Sequence, residues 1–446
     1  MIVRLFFLFF LFPIILYCQI IDSELTTSWS INDILDIYTF SNIPDYAGSV
    51  NYSVEGYKVK YMTVNENGSL VETSGAIFLP VNTSCPLPIL SWQHGTIVED
   101  DAAPSENIDN QYIGVVAASH GYIVLMSDYL GLGSGQGFHN YCHSKTEASS
   151  VIDLILSSKD FANSLNIEIS NQLFLMGYSQ GGHATMAAVR EIEESFSESL
   201  VITSSCPMAG PYSMSDAQLD MINNIYPNPG YFPYVIFAYQ NVYGNLYNNP
   251  SEILKPGFDE LFEMYNGEYS MSQINQQIWS IAFDIYGIDS DSFTPLDMLN
   301  ENYYNDFLIN DNHPFRLALK DNDLIDFTPN SPLRLIHCNG DLDVSFQNSV
   351  LAYQSFQENA LEEIDLLDGG NFSHGDCALM SIVAAKLYFD TKAIFCDITI
   401  EESLNLNSLF YSVDVLGRKL DKSYLPNLSI EFYDDGSYKK VLRLIN

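Results

Sequence analysis

The sequence predicts an α/β protein built on an open, largely parallel sheet, and two observations carry that prediction. From about Leu87 onward, short apolar runs alternate with stretches whose apolar residues recur at helical spacing. Each short run also opens into a glycine-rich or polar turn. The strand-like runs are Leu87–Gln93, Tyr122–Asp128, Gln172–Tyr178 and Leu333–Cys338. The helix-like stretches are Thr146–Lys159, Gly181–Ser197, Phe346–Leu361 and Cys377–Tyr388. In such a sheet, functional residues sit at the carboxyl ends of the strands.

The alternation stops between about Tyr212 and Asn330, a segment rich in Tyr, Phe, Asn and Asp. A structureless loop that long does not suit a compact domain. The segment is therefore read as an inserted, mostly helical cap. After it the alternation resumes, and the tail changes character again. Arg418, Lys419, Lys422, Lys439, Lys440 and Arg443 crowd its end, and Phe410–Val415, Leu428–Tyr433 and Tyr438–Leu444 alternate as short strands. They predict a small β-appendage.

At the other end, Arg4 precedes an apolar run from Leu5 to Tyr17. That run has the length of a signal-peptide core and is too short to span a bilayer. Cys18 offers a lipid-attachment thiol, but Tyr17 stands where that processing wants a small residue, so simple cleavage near Cys18 is expected. The expected division is a signal peptide over 1–18, a main domain over 19–396 with its cap at about 212–330, and a tail over 397–446.

Composition narrows the partners. With 18 Lys+Arg against 56 Asp+Glu, the net charge is −38, which excludes nucleic-acid binding through a basic face. At 47% apolar and 17% charged, the chain has the composition of an ordered protein with a large core. Six cysteines follow Cys18, at positions 85, 142, 206, 338, 377 and 396, with no CxxC pair. Export permits disulfides, and the pairing stays open.

Chemistry is signalled most sharply by Gly177-Tyr178-Ser179-Gln180-Gly181, followed by Gly182. It follows a strand and opens a helix, the setting of a nucleophile elbow. A serine on a strained strand-to-helix turn needs small neighbours, and the new helix offers the Gln180 N–H to a developing oxyanion. A nucleophilic serine also needs a histidine base and an acid to orient it. His374, in the glycine-bounded loop Gly369–Gly375, is the expected base. His337 falls inside a strand and reads as a core or edge residue, and His313 precedes Pro314 in the cap. Two acids follow the strand ending at Cys338: Asp341, which is preferred, and Asp343. A second oxyanion donor is expected where Trp92-Gln93-His94-Gly95-Thr96 leaves its strand. Thr96 is the choice, its alternative being a plain capping or turn threonine.

Two rival motifs fail. In Gly131-Leu132-Gly133-Ser134-Gly135-Gln136-Gly137, the third glycine of a dinucleotide fingerprint falls on Gln136. His139 and His143 flank Cys142 at i,i+4 but lack the HExxH glutamate, so no metal is expected there.

Taken together, several stretches resemble the lipase/esterase-like, secreted branch of the α/β-hydrolase superfamily. They are Trp92–Thr96, Asp128-Tyr129-Leu130-Gly131-Leu132-Gly133, His143-Ser144-Lys145-Thr146-Glu147-Ala148, Gly177–Ala184 and His374-Gly375-Asp376-Cys377. The resemblance spans roughly Tyr61 to Cys396. It implies an α/β-hydrolase fold with a cap between serine and acid, Ser179 as nucleophile, His374 as base and Asp341 as acid. The family's acid stands three residues before a Val-Pro pair, and here Ser345 replaces that proline. The tail, through Val413-Asp414-Val415-Leu416-Gly417-Arg418 and Tyr433-Asp434-Asp435-Gly436-Ser437, resembles the C-terminal sorting domains of bacterial type IX secretion, although the usual Gly-Ile-Tyr segment is absent.

The expected function is hydrolysis of small carboxylic esters through Ser179, His374 and Asp341, with Thr96 and Gln180 at the oxyanion and no metal or organic cofactor. The expected location is secreted or at the cell surface, with the secretion machinery as the tail's partner and no transmembrane segment. A peptidase with the same triad and a non-catalytic exported binding protein are the alternatives. In the cap, Phe237 and Trp279, with Tyr231, Phe232, Tyr239 and Phe283, are expected either to line the acyl site or to pack the cap.

Overall fold

The computed structural model describes residues 19–395 apart from Asn42 and 358–361, together with three tail strands. The stretch read as a signal peptide lies outside the described residues. In chain order, β1 (Ile20–Trp29), α1 (Ile31–Phe40), β2 (Val54–Val64), β3 (Leu70–Pro80) and β4 (Leu87–Gln93) come first, then α2 (Tyr112–Ser119), β5 (Ile123–Ser127) and α3 (Ser144–Ser164). There follow β6 (Ile169–Tyr178), α4 (Gln180–Ser195) and β7 (Ile202–Met208). The helices α5 (Tyr231–Tyr243), α6 (Met271–Tyr286), α7 (Glu301–Ile309) and α8 (Pro314–Asp321) intervene before β8 (Leu333–His337), α9 (Gln347–Gln357), β9 (Ile364–Asp368) and α10 (His374–Asp390).

The nine strands form one sheet in the order β1-β2-β3-β5-β4-β6-β7-β8-β9. The β1, β2, β3 and β5 pairings are antiparallel, and every pairing from β5 to β9 is parallel. All seven residues of β4 are buried, as expected for a central parallel strand covered on both faces. Leu87 and Ile89 join the core under α3, α4 and α9, whereas Leu90 and Trp92 join the core under α1, α2 and α10. The result is a three-layer α/β/α domain.

All four predicted parallel strands and all four helix stretches are present, with β6 beginning three residues earlier, at Ile169, and α3 running five residues longer, to Ser164. The sheet is wider than the alternation showed. β1–β3 form an antiparallel extension, and β7 and β9 are additional parallel strands. β7 reads Ile-Thr-Ser-Ser-Cys-Pro-Met, so its small and polar side chains hide it from an apolar count.

Between β7 and β8 the chain leaves the sheet and forms the cap, with its own core around Phe237, Tyr239, Phe258, Ile278 and Phe293. Local signals start and stop these helices. Ser270 and Gln273 form a capping box on α6, and Gly287 closes it in the left-handed conformation. Tail strands β10 (Leu409–Val413), β11 (Leu428–Tyr433) and β12 (Tyr438–Leu442) make a three-stranded antiparallel sheet, matching the predicted β-appendage.

The tightest packing in the fold is where α4 leaves β6. A Cβ on Gly181 would lie 2.0 Å from the Gln93 carbonyl oxygen of β4, and one on Gly182 would lie 2.3 Å from the Met208 carbonyl oxygen of β7. Both obstacles are backbone and cannot swing away. Gly181→Ala should therefore destabilise the protein by about 3 kcal/mol, the upper end of ordinary overpacking. A denaturant midpoint equal to that of the parent protein would contradict this reading.

Candidate active site

Strand β6 ends at Tyr178 and α4 begins at Gln180, leaving Ser179 alone at the corner. Its φ of 62° and ψ of −122° lie where non-glycine residues are rarely found. Three hydrogen bonds hold it there. The Ser179 N–H donates to the Met208 carbonyl at 3.0 Å, and the N–H groups of Gly182 and His183 donate to the Ser179 carbonyl. Gly177 completes the turn, since a Cβ there would meet the Gly181 carbonyl at 2.3 Å. Ser179 is 8% exposed, and its hydroxyl has no hydrogen-bond partner among the described residues.

His374 is the first residue of α10, whose N-cap Ser373 accepts from the Asp376 N–H. Its Nδ1 lies 2.5 Å from Asp341 Oδ2. The Tyr178 hydroxyl donates to the His374 carbonyl at 2.6 Å, and the Tyr178 ring sits 5.0 Å from the imidazole. The residue beside Ser179 thus anchors His374 at the same end of the sheet. A direct Ser179–His374 hydrogen bond is absent, as is common before substrate closes such a contact.

Asp341 is the acid that meets the imidazole. Its Oδ1 accepts from the N–H groups of Asp343 and Val344, each at 2.9 Å. Its Oδ2 is shared between His374 Nδ1 and His337 Nε2, the latter at 3.1 Å. Burial alone would raise this carboxyl group's pKa, but the hydrogen bonds from His337 and His374 overcome that and hold it well below the usual range. His337 is indeed buried inside β8, as expected of a core residue, but it also faces Asp341. The sequence signal for that role is its i,i+4 spacing to the acid. Asp343 has a different task. Its Oδ1 accepts from Asn228 Nδ2, and its carbonyl accepts from the hydroxyl of Tyr226 and the amide of Gln218, so it ties the cap to the acid loop.

The loops carrying Asp341 and His374 interlock. The Asn339 N–H donates to the Gly370 carbonyl, and Cys338 is disulfide-bonded to Cys377 across 39 residues. Cys85 is disulfide-bonded as well, while Cys142 and Cys206 are free and buried.

The turn after β4 runs alongside the serine. A Cβ on Gly95 would be 3.3 Å from the Tyr178 carbonyl and 3.7 Å from Ser179 Cβ. The Thr96 hydroxyl pairs with the Tyr141 hydroxyl at 2.9 Å, rather than capping a helix. Neither the Thr96 nor the Gln180 N–H donates to a protein acceptor among the described residues.

Beneath Gln180 lies a buried polar network that sequence reasoning missed. The Gln180 amide nitrogen reaches Glu147 Oε1 at 2.9 Å and His139 Nε2 at 2.7 Å, and Glu147 Oε2 meets His183 Nδ1 at 2.6 Å. His183 Nε2 faces the Asn322 carbonyl at the base of the cap. Cys142, Glu147 and His183 could hold a metal by proximity. Both Glu147 oxygens and both His183 nitrogens already have protein partners, and burial keeps the Cys142 thiol protonated. The cluster therefore braces α4 against α3 and the cap. His143 is engaged separately, with Thr146 Oγ1 at 2.9 Å.

A cavity opens at Ser179 and Gln180. Its walls include Tyr231, Phe232 and Val235 of α5, Phe315 and Leu319 of α8, and Met214. Phe237 and Trp279 are not on that wall. Phe237 is buried in the cap core against Phe262 and Tyr265, and Trp279 packs on the same core. The reason is helical spacing: positions 231, 232 and 235 share one face of α5, and position 237 falls on the other.

This sheet order, with a serine corner after a central strand and a helical cap before the acid, is an α/β-hydrolase fold of the lipase- and esterase-like kind. The secretory lipase family model matches residues 105–203, which contain the serine corner. Among solved structures, the chain is similar to the rice cell wall degrading esterase LipA from Xanthomonas oryzae. The two share 26% identity over 84% of this chain and 98% of that one, with a TM-score of 0.73. It is also similar to a protein of Legionella pneumophila (24% identity, 87% and 100% coverage, TM-score 0.75). Lipase A of Candida antarctica in its closed state matches more distantly, at 17% identity, 84% and 81% coverage and TM-score 0.60. No curated protein sequence matches the chain.

The disulfide gives a direct test of how the two loops are held. Closing a loop of 39 residues restricts the unfolded chain by about 4 kcal/mol on the chain-entropy estimate. A Cys338→Ala/Cys377→Ala double variant should lose stability of that order in equilibrium unfolding. An unchanged unfolding free energy would show that the loops are held without it.

Proposed function

We propose that the protein is a secreted serine hydrolase that cleaves carboxylic esters. The observation that carries this reading is the chain of contacts from strained Ser179 through Tyr178 to His374, and from His374 Nδ1 to the buried Asp341. Nearby esterases and lipases of the same fold support it.

Ser179 Oγ attacks the acyl carbon as His374 Nε2 takes its proton, and the imidazole then returns that proton to the leaving alcohol. Water repeats the sequence on the acyl-enzyme. Asp341 fixes the proton on Nδ1, leaving Nε2 with a lone pair toward the serine, and stabilises the imidazolium as it forms. The low pKa of Asp341 suits this task, because the carboxylate stays ionised while the histidine changes charge. The Gln180 and Thr96 N–H groups, with no acceptor among the described residues, stabilise the oxyanion. Ser179→Ala should lower kcat for p-nitrophenyl esters by at least about 10³. Full ester turnover in that variant would end the assignment. A peptidase would instead turn over aminoacyl-p-nitroanilides faster than esters.

The acyl group belongs in the cavity beside Ser179. Its wall is mostly apolar, and each methylene buried there gains about 0.8 kcal/mol. Phe232→Ala should therefore shift the ratio of kcat/KM between short and medium esters. Phe237→Ala should lower the melting temperature and leave the ratio flat. The reverse pattern would move the acyl site elsewhere in the cap.

The tail, with its own three-stranded sheet, is proposed as an export address recognised by the secretion machinery. Deletion after about Ile400 should leave ester hydrolysis by the purified protein intact and abolish delivery to the surface or medium. A truncated protein that is still exported would refute this.

A further inference from the structure

We propose that His94 is a positioning residue that sets the Gly95–Thr96 peptide so that the Thr96 N–H faces the oxyanion. This rests on the hydrolase reading and adds to it a part of the site that neither the triad nor the family match assigns.

One hydrogen bond sets the direction of this peptide. His94 Nδ1 lies 2.7 Å from the Gly95 carbonyl oxygen, and its Nε2 lies 3.4 Å from the Asp128 carbonyl oxygen. A neutral imidazole has one N–H, and the shorter contact claims it, so Nδ1 donates to Gly95. Burial favours the neutral form, holding the group down at about 4. The Gly95 carbonyl is therefore drawn toward the imidazole. The chain contains no cis peptide among the described residues, and in a trans peptide the carbonyl and the following N–H point in opposite directions. Fixing the Gly95 oxygen toward His94 thus aims the Thr96 N–H away from His94. The Thr96 hydroxyl pairs with Tyr141, and Tyr141 lines the cavity that opens at Ser179.

The imidazole is itself held. It lies against the Tyr129 ring at 4.3 Å between centroids, and the Tyr129 hydroxyl donates to the His94 carbonyl at 3.1 Å. Tyr129 keeps a left-handed backbone with φ of 66°. Without the Nδ1 donor, the Gly95–Thr96 peptide loses the contact that sets its direction. Gly95 has no side chain to resist a flip, and a flipped peptide would present a carbonyl oxygen to the developing negative charge.

Three variants separate this role from packing. His94→Asn keeps an N–H donor at the same branch point, because Asn Nδ2 replaces His Nδ1. His94→Gln moves the donor one bond farther out, and His94→Phe keeps the ring on Tyr129 without any donor. With p-nitrophenyl butyrate, Phe and Gln should each lower kcat by about 10²-fold, the effect of losing one oxyanion donor, with KM within about threefold. Both should also weaken binding of an alkylboronic acid, whose tetrahedral adduct carries the negative oxygen, by a similar factor. His94→Asn should restore kcat to within about tenfold of the parent. If the Phe variant fails to fold, the Gln and Asn pair decides alone. Equal kcat in Asn and Gln, or a loss expressed in KM rather than kcat, overturns the proposal. Parent enzyme without Ser179-dependent ester turnover would instead overturn the hydrolase reading, so the two failures are distinguishable.

Discussion

The close approach of three backbones at the Ser179 corner constrains the rest of the molecule. Helix α4 can begin directly beneath β4 and β7 only because residues 177, 181 and 182 have no side chains, leaving the Gln93 and Met208 carbonyls unobstructed. That contact forces Ser179 into a positive-φ conformation of order 1–3 kcal/mol in cost, which persists because the sheet and helix on either side over-determine it. The same constraint explains the sheet's centre. Strands β4, β6 and β7 must be parallel and buried so that their carboxyl ends converge, and the buried polar network of Gln180, Glu147 and His183 then fixes the helix's rotation from below.

The acid and histidine are held by a different principle. They sit on loops, where position is less well defined by packing, and each loop is tied more than once. Asp341 accepts two backbone N–H groups on one oxygen and two imidazoles on the other, so its direction is set from four sides. His374 is tied to Asp341 through its ring, to Tyr178 through its carbonyl, and to β8 through the Cys338–Cys377 bridge three residues along α10. The cap joins this arrangement through Asp343 and Asn322 rather than through Asp341 and His374 themselves. Its apolar wall can therefore vary in shape while the acid loop keeps its geometry.

Much of the site was legible in the sequence because its constraints are local. A serine among glycines after an apolar strand, a histidine in a glycine-bounded loop and an aspartate after a strand each announce a turn with one exposed side chain. What was not legible depends on long-range contacts. Asp341 and Asp343 are separated only by which backbone N–H groups and imidazoles reach them, and whether Phe237 lines the cavity or packs the cap depends on how α5 is rotated. The β1–β3 extension and β7 escaped because an antiparallel edge and a small-residue strand lack the apolar runs that marked their neighbours. His337 reads as a core or edge residue and is buried; its tie to the site, like that of the buried Glu147, appears only when β8 and α3 are placed.

The proposed chemistry requires that one acyl group be carried on Ser179 during turnover. Rapid mixing of the protein with a p-nitrophenyl ester, acid quenching and mass spectrometry of the digested chain would test it most directly. Turnover through Ser179 should give a burst of p-nitrophenol approaching one equivalent per protein and an acyl adduct on the peptide bearing Ser179. An adduct on another residue, or turnover with acyl-enzyme absent under conditions that trap it, would contradict it.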